Sequence, residues 1–237
     1  MIAIRKLWKN DYFKTIVAIV LIIGIVLVFF FGLQLGLKTS FPLLTVESGS
    51  MSIPYDSMEM PNWQGFLLSI NHPFDRTLSV GDIIIIQGVN TKDLNTNYPN
   101  SDIIVFHSPI TGELIVHRII SSETVNGTTY YQTKGDGNGN PWPQPPVIGQ
   151  GTDPWDYNNP PGVPQNLVIG KVIMRIPWFG WITLFMRSNS LGLPIIIGII
   201  LLLVILEFVI PMIRGSNKKS KEQNNMQPPP PTLQMYL

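Results

Sequence analysis

Residues 114–133 read LIVHRIISSETVNGTTYYQT. β-Branched and aromatic side chains fill both halves, and Asn126-Gly127 between them is the strongest short signal for a two-residue hairpin turn, because both positions tolerate φ > 0. A two-residue loop there pairs Val125 with Thr128, Ser121 with Gln132 and His117 with Asp136. An imidazole then faces a carboxylate across two strands, and a single bulge in nine residues of register would break that pairing. Working outward, residues 82–87 (DIIIIQ), 102–107 (DIIVFH) and 167–175 (LVIGKVIMR) are further short β-branched runs bounded by turn chemistry at Gly81-Asp82, Ser108-Pro109 and Thr111-Gly112. No amphipathic helix of useful length separates them. The expected fold class is mostly β, an antiparallel barrel or sandwich.

Between the second half of the hairpin and the last run lies residues 135–164, GDGNGNPWPQPPVIGQGTDPWDYNNPPGVP. Gly, Pro and Asn at this density predict a long irregular loop, and Trp142, Trp155 and Tyr157 predict that it is partly ordered, since aromatic rings need somewhere to pack.

Apolar stretches flank this middle portion. Residues 16–33 hold eighteen positions without a charge or amide, and residues 35–37 extend them past Gln34. That is long enough to span a bilayer, and the absence of a small-x-small cleavage site near its end favours a retained anchor over a cleavable signal peptide. Residues 191–213 form a second stretch broken only by Glu207 as a charge, with Pro194 near its start. Glu207 is given no functional role. Arg5, Lys6, Lys9 and Lys14 precede the first stretch, and Arg214, Lys218, Lys219 and Lys221 follow the second, so both ends are expected in the cytoplasm. From residue 38 to residue 190 there are eight Lys+Arg against twelve Asp+Glu, which suits a domain exported across the membrane. The expected organisation is a basic cytoplasmic N-terminus (1–14), a transmembrane helix (15–37), an extracytoplasmic β catalytic domain (38–190), a second transmembrane helix (191–213) and a disordered cytoplasmic tail (214–237). Trp178, Phe179 and Trp181, just before the second stretch, suit an interfacial aromatic belt about as well as core packing.

Composition narrows the chemistry. Of 237 residues 45% are hydrophobic and 13% charged, about half the charged share of a soluble domain, which again points to a membrane. Sixteen Lys+Arg against fifteen Asp+Glu leave no basic excess for neutralising phosphates, so nucleic acid is not an expected partner. With no cysteine, disulfides, thiolate nucleophiles and cysteine-ligated metals are excluded, and covalent chemistry must use Ser, Thr or Lys. A serine turn, Ser48-Gly49-Ser50, stands thirteen residues beyond Leu37, at most roughly 43 Å from the membrane along a fully extended chain. An anchor, a serine turn just outside it and a strand histidine facing an acid therefore coincide.

On these residues the chain resembles the type I signal peptidases, in particular the archaeal and endoplasmic-reticulum branch, in which a serine–histidine pair replaces a serine–lysine dyad. Ser48-Gly49-Ser50-Met51 looks like the nucleophile box, residues 80–83 (VGDI) and 102–106 (DIIVF) like the intervening strands, and residues 115–119 (IVHRI) like the base box. Residues 133–136 (TKGD) and 168–172 (VIGKV) look like the closing strands. The resemblance implies Ser50 as nucleophile, His117 as general base, Ser48 and the Ser50 N–H as oxyanion donors, and Met51 beside the substrate. It also implies a signal-peptidase-type β domain between two transmembrane helices, cleavage of preproteins after small residues, no metal or cofactor, and the bilayer and translocation machinery as partners. Two departures stand out. The second acid of the family's pattern is displaced, so that Asp153-Pro154-Trp155 matches it best, and the proline after the nucleophile comes one residue late, at Pro54. Three acids are thus candidates to orient His117: Asp153 by resemblance, Asp136 by the hairpin register, and Asp156 third. His72 and His107 are competing bases, and Lys134 or Lys171 would serve a lysine dyad only if burial depressed its pKa. The rival from another class is a non-catalytic membrane-anchored β domain for adhesion or scaffolding. Asn126-Gly127-Thr128 is also a glycosylation acceptor pattern.

Overall fold

The computed structural model describes residues 11–53 and 77–207. The chain divides into two units, 1–184 and 185–237. In the first, helix α1 (Asp11–Leu37) contains an apolar stretch, Ile16–Leu37, with mean hydropathy 3.3 and no buried residues. It is long and apolar enough to cross a membrane. In the second unit a helix runs over residues 192–207 with its large apolar side chains exposed. That is shorter than the roughly 20 residues of a full span, so the expected second transmembrane helix is not established, and residues 208–213 lie outside the described part. So do Arg5, Lys6, Lys9, Pro54, His72 and the tail 214–237.

Seven strands form one sheet: β1 (Leu43–Thr45), β2 (Ile83–Gln87), β3 (Ile103–His107), β4 (Leu114–Val125), β5 (Thr128–Lys134), β6 (Val163–Pro164) and β7 (Val168–Ile176). Every pairing is antiparallel, in the order β1-β2-β7-β3-β4-β5-β6. The five strands expected from β-branched runs are all present. β1 and β6, three and two residues long, lack the length over which alternation can be read. β6 and a 3-10 turn, Pro154–Tyr157, are the regular pieces of the long 135–164 loop, whose Trp142 and Trp155 are buried while Tyr157 is exposed.

Core residues sit on both faces. β3 alternates between them: Ile103 and Val105 join Val46, Met51, Leu78, Ile84, Ile86 and Val172, whereas Ile104 and Phe106 join Leu94, Ile119, Tyr131, Trp155 and Val163. A strand covered on both sides needs a continuous apolar run, which is what residues 103–106 supply.

The β4–β5 hairpin follows the expected register from Val125↔Thr128 as far as Ser121↔Gln132. A bulge then absorbs Ile120, and pairing resumes at Ile119↔Thr133 and Arg118↔Lys134. One extra residue on β4 shifts everything beyond it by one, so Asp136 does not face His117. The expected His117–Asp136 pair is not formed.

Candidate active site

The serine turn is a single 3-10 turn, Gly49–Met51, entered from β1 and held at three points. Met51 is 1% exposed and plugs the first core. The N–H of Gly137 donates to the Ser50 carbonyl at 2.8 Å. Gly135 and Gly137 pack so closely on this turn that a Cβ on either would strike the carbonyl oxygen of Ser50 or Ser52. The Gly135-Asp136-Gly137 sequence after β5 is therefore a flat bed for the serine's backbone. Gly137→Ala is expected to push the Ser50 backbone away and break the contact between Ser50 Oγ and His117 Nε2, with the circular dichroism of the sheet retained; a structure of the variant that keeps this contact would refute the role.

His117, on β4 and 7% exposed, joins the serine to an acid. Its Nε2 lies 3.0 Å from Ser50 Oγ and its Nδ1 lies 2.6 Å from Asp153 Oδ2. With Nδ1–H donating to the carboxylate, Nε2 is the acceptor and the Ser50 hydroxyl donates to it. Ser48 Oγ stands 3.2 Å from Ser50 Oγ. The Ser50 proton is already committed, so the exposed Ser48 hydroxyl is the donor of that pair. In the first turn of a helical segment the N–H groups of Gly49 and Ser50 have no intrahelical acceptor, leaving donors beside the hydroxyl.

Asp153 immediately precedes the 3-10 turn Pro154–Tyr157, its carbonyl accepting the Asp156 N–H and its side chain left free of the turn, which is anchored in the opposite core by Trp155. The same Oδ2 that meets His117 accepts the Thr133 hydroxyl at 2.7 Å, and Thr133 Oγ1 accepts the Trp155 indole N–H at 3.0 Å. The Asp153 N–H closes onto the Thr133 carbonyl. A chain of hydrogen bonds thus runs Trp155, Thr133, Asp153, His117, Ser50. Thr133 stands in the TKGD segment, but nothing in the sequence marks its hydroxyl for this role, because a threonine on a strand is ordinary.

Asp136 has a different partner. Its carboxylate takes a bidentate pair from Arg118, 2.7 Å from Nε and 2.8 Å from Nη2, and Arg118 also donates to the Ser101 carbonyl and lies 4.5 Å from the centre of the Trp142 ring. All three side chains are buried. The pair locks the loop that carries Gly135 and Gly137, and the Asp136 N–H reaches Met51 Sδ at 3.4 Å. Asp136 therefore supports the serine's bed instead of orienting the histidine. Asp156, behind Asp153, accepts from the Thr133 N–H; burial first, then repulsion from Asp153, push its carboxyl up to about 7.

The competing groups are otherwise engaged. Lys134 Nζ donates to the carbonyls of Gly135, Asn138 and Asn140, and although burial lowers its pKa it is spent on the loop backbone. Lys171 pairs with Asp102. His107 Nδ1 meets the Gly112 carbonyl at the turn after β3. Among the described residues no cluster of His, Asp and Glu is arranged to hold a metal ion.

No family model matches the sequence, and no curated protein matches it.

Proposed function

We propose that this chain is a membrane-bound serine endopeptidase of signal-peptidase type, which removes signal peptides from secretory and membrane preproteins on the outer face of the membrane. The observation that carries this is the Ser50–His117–Asp153 array, in which hydroxyl, imidazole and carboxylate stand at hydrogen-bonding distances and in the order that acyl transfer needs. Ser50 Oγ attacks the scissile carbonyl as its proton passes to His117 Nε2. The imidazolium is stabilised by Asp153 and then returns the proton to the leaving amine. Water, deprotonated by the same imidazole, releases the acyl-enzyme. Negative charge on the carbonyl oxygen is met by the Ser50 N–H and the Ser48 hydroxyl.

A membrane setting supports the choice of substrate. α1 delivers the chain to β1 only a few residues before Ser50, so the nucleophile belongs near the bilayer surface, where the cleavage site of an inserted signal sequence is also held. Trp178, Phe179 and Trp181 are 75%, 63% and 53% exposed, which favours an interfacial belt over core packing. The arrangement proposed is a span at 16–37, a second at 191–213, both termini cytoplasmic, and preproteins delivered by the translocation machinery as partners.

The test is cleavage of a precursor whose signal ends in Ala-x-Ala by the full chain in liposomes, followed by N-terminal mapping of the product. One cut after the second alanine is expected. A folded chain that cleaves none of several precursors would overturn the proposal in favour of a non-catalytic anchor domain.

A further inference from the structure

Asp156 lies beside the array without belonging to it. Both of its carboxyl oxygens stand 3.3 Å from the Thr133 backbone nitrogen, its own N–H donates to the Asp153 carbonyl at 3.0 Å, and it is 4% exposed. Thr133 is consequently gripped by one turn at four points: N–H by Asp156, hydroxyl by Asp153 and Trp155, carbonyl by the Asp153 N–H. Among the described residues the charged group acting on Asp156 is Asp153 on its own turn; His117 on β4 is reached through Asp153, and Lys134, next to Thr133 on β5, turns its ammonium to backbone carbonyls. Among the described residues no basic side chain pairs with Asp156, and the two carboxyls meet on one threonine.

We propose that Asp156 is a positioning residue for the hydrolysis: as a neutral carboxyl it fixes Thr133 and through it Asp153, and when it ionises it raises the proton affinity of His117. This deepens the endopeptidase reading and rests on it. Burial and the neighbouring Asp153 hold the Asp156 carboxyl up to about 7, so it changes charge near neutral pH. Ionised Asp156 puts a second negative charge behind Asp153, which favours imidazolium. Removing that charge must lower the proton affinity of His117.

The test uses the full chain in detergent micelles. There are three histidines, so the His117 imidazole resonance is identified by its loss in His117→Gln. In Asp156→Asn, whose amide oxygen still accepts from Thr133, the His117 midpoint is expected to fall by roughly half to one pH unit. The acidic limb of kcat/KM moves with it while kcat at the optimum stays within about threefold, and Asp156→Glu restores the parent profile. An unmoved midpoint overturns the proposal, with or without a uniform loss of activity, because packing alone does not need the titration. Asp156→Ser carries the same test if the amide variant does not fold. Stability reads the coupling a second way. The folded carboxyl keeps its proton up to about 7, whereas its ordinary value is 3.8. The native state therefore binds more protons than the unfolded chain between those values, and the parent loses stability relative to Asp156→Asn as pH rises through that window. A constant gap across it overturns the proposal. Because the resonance and the stability are read without substrate, a parent that cleaves no precursor sinks the endopeptidase reading alone.

Discussion

Ser50→Ala and His117→Ala are each expected to lower kcat/KM for precursor cleavage by about 10^4- to 10^6-fold, and the double variant to be no worse than the poorer single. The reason is that hydroxyl and imidazole act as one device. Without Nε2 at 3.0 Å the serine proton has no acceptor, and without Oγ the imidazole has nothing to activate. Neither change should unfold the protein. Ser50 is only partly buried and stands on a turn fixed by Met51 and by the backbone of Gly137, while β4 is held by neighbours on both sides. Asp153→Asn belongs to the same set: an amide in place of the carboxylate either presents N–H to Nδ1 or leaves a neutral oxygen there, and a loss of about 10^4-fold is expected. Kinetics over several decades, with melting temperature as the check on folding, decide the matter. Additive losses from Ser50→Ala and His117→Ala would mean that the two side chains do not work together, and full activity in His117→Ala would remove it from the chemistry.

Most of the sheet could be read from the chain because its signals are local. The β-branched runs at 83–87, 103–107 and 168–176 needed only their own composition, and Asn126-Gly127 set the hairpin at its own position, where Asn126 and Gly127 take φ of 51° and 80°. Reading failed where the deciding contact is distant. The bulge at Ile120 has no residue signature of its own, since neither Gly nor Pro marks the position. Its effect was to hand Asp136 to Arg118. The serine and histidine were found as a pattern, but the acid could not be chosen between Asp136, Asp153 and Asp156 on spacing, because a 3-10 turn inside a Gly- and Pro-rich loop brings residue 153 back to β4. The bed formed by Gly135 and Gly137 depends on backbone approaches to Ser50 and Ser52, and the role of Thr133 on a turn folded back from the long loop; side-chain periodicity is silent about both.

Asp136→Ala should therefore damage the protein in a way that Asp153→Asn does not. Truncating Asp136 leaves the Arg118 guanidinium, 3% exposed, without its bidentate carboxylate. Breaking a buried ion pair from one side costs about 3–5 kcal/mol, most of it the penalty for the ion that stays behind. In a domain of this size that corresponds to a fall in melting temperature on the order of 10 °C. Removing the cation as well relieves that penalty, so Arg118→Met combined with Asp136→Ala should recover a substantial part of the lost stability, as a double-mutant cycle would show. Activity separates this role from that of an orienting acid. Where Asp136→Ala remains folded at low temperature, its loss of kcat should track the displacement of the Gly135–Gly137 bed, whereas the pH dependence of the remaining activity should keep the parent's shape, because Asp153 still holds His117. A stable Asp136→Ala protein with an altered His117 titration would instead restore Asp136 to the histidine, against the geometry in which its two oxygens are already taken by Arg118.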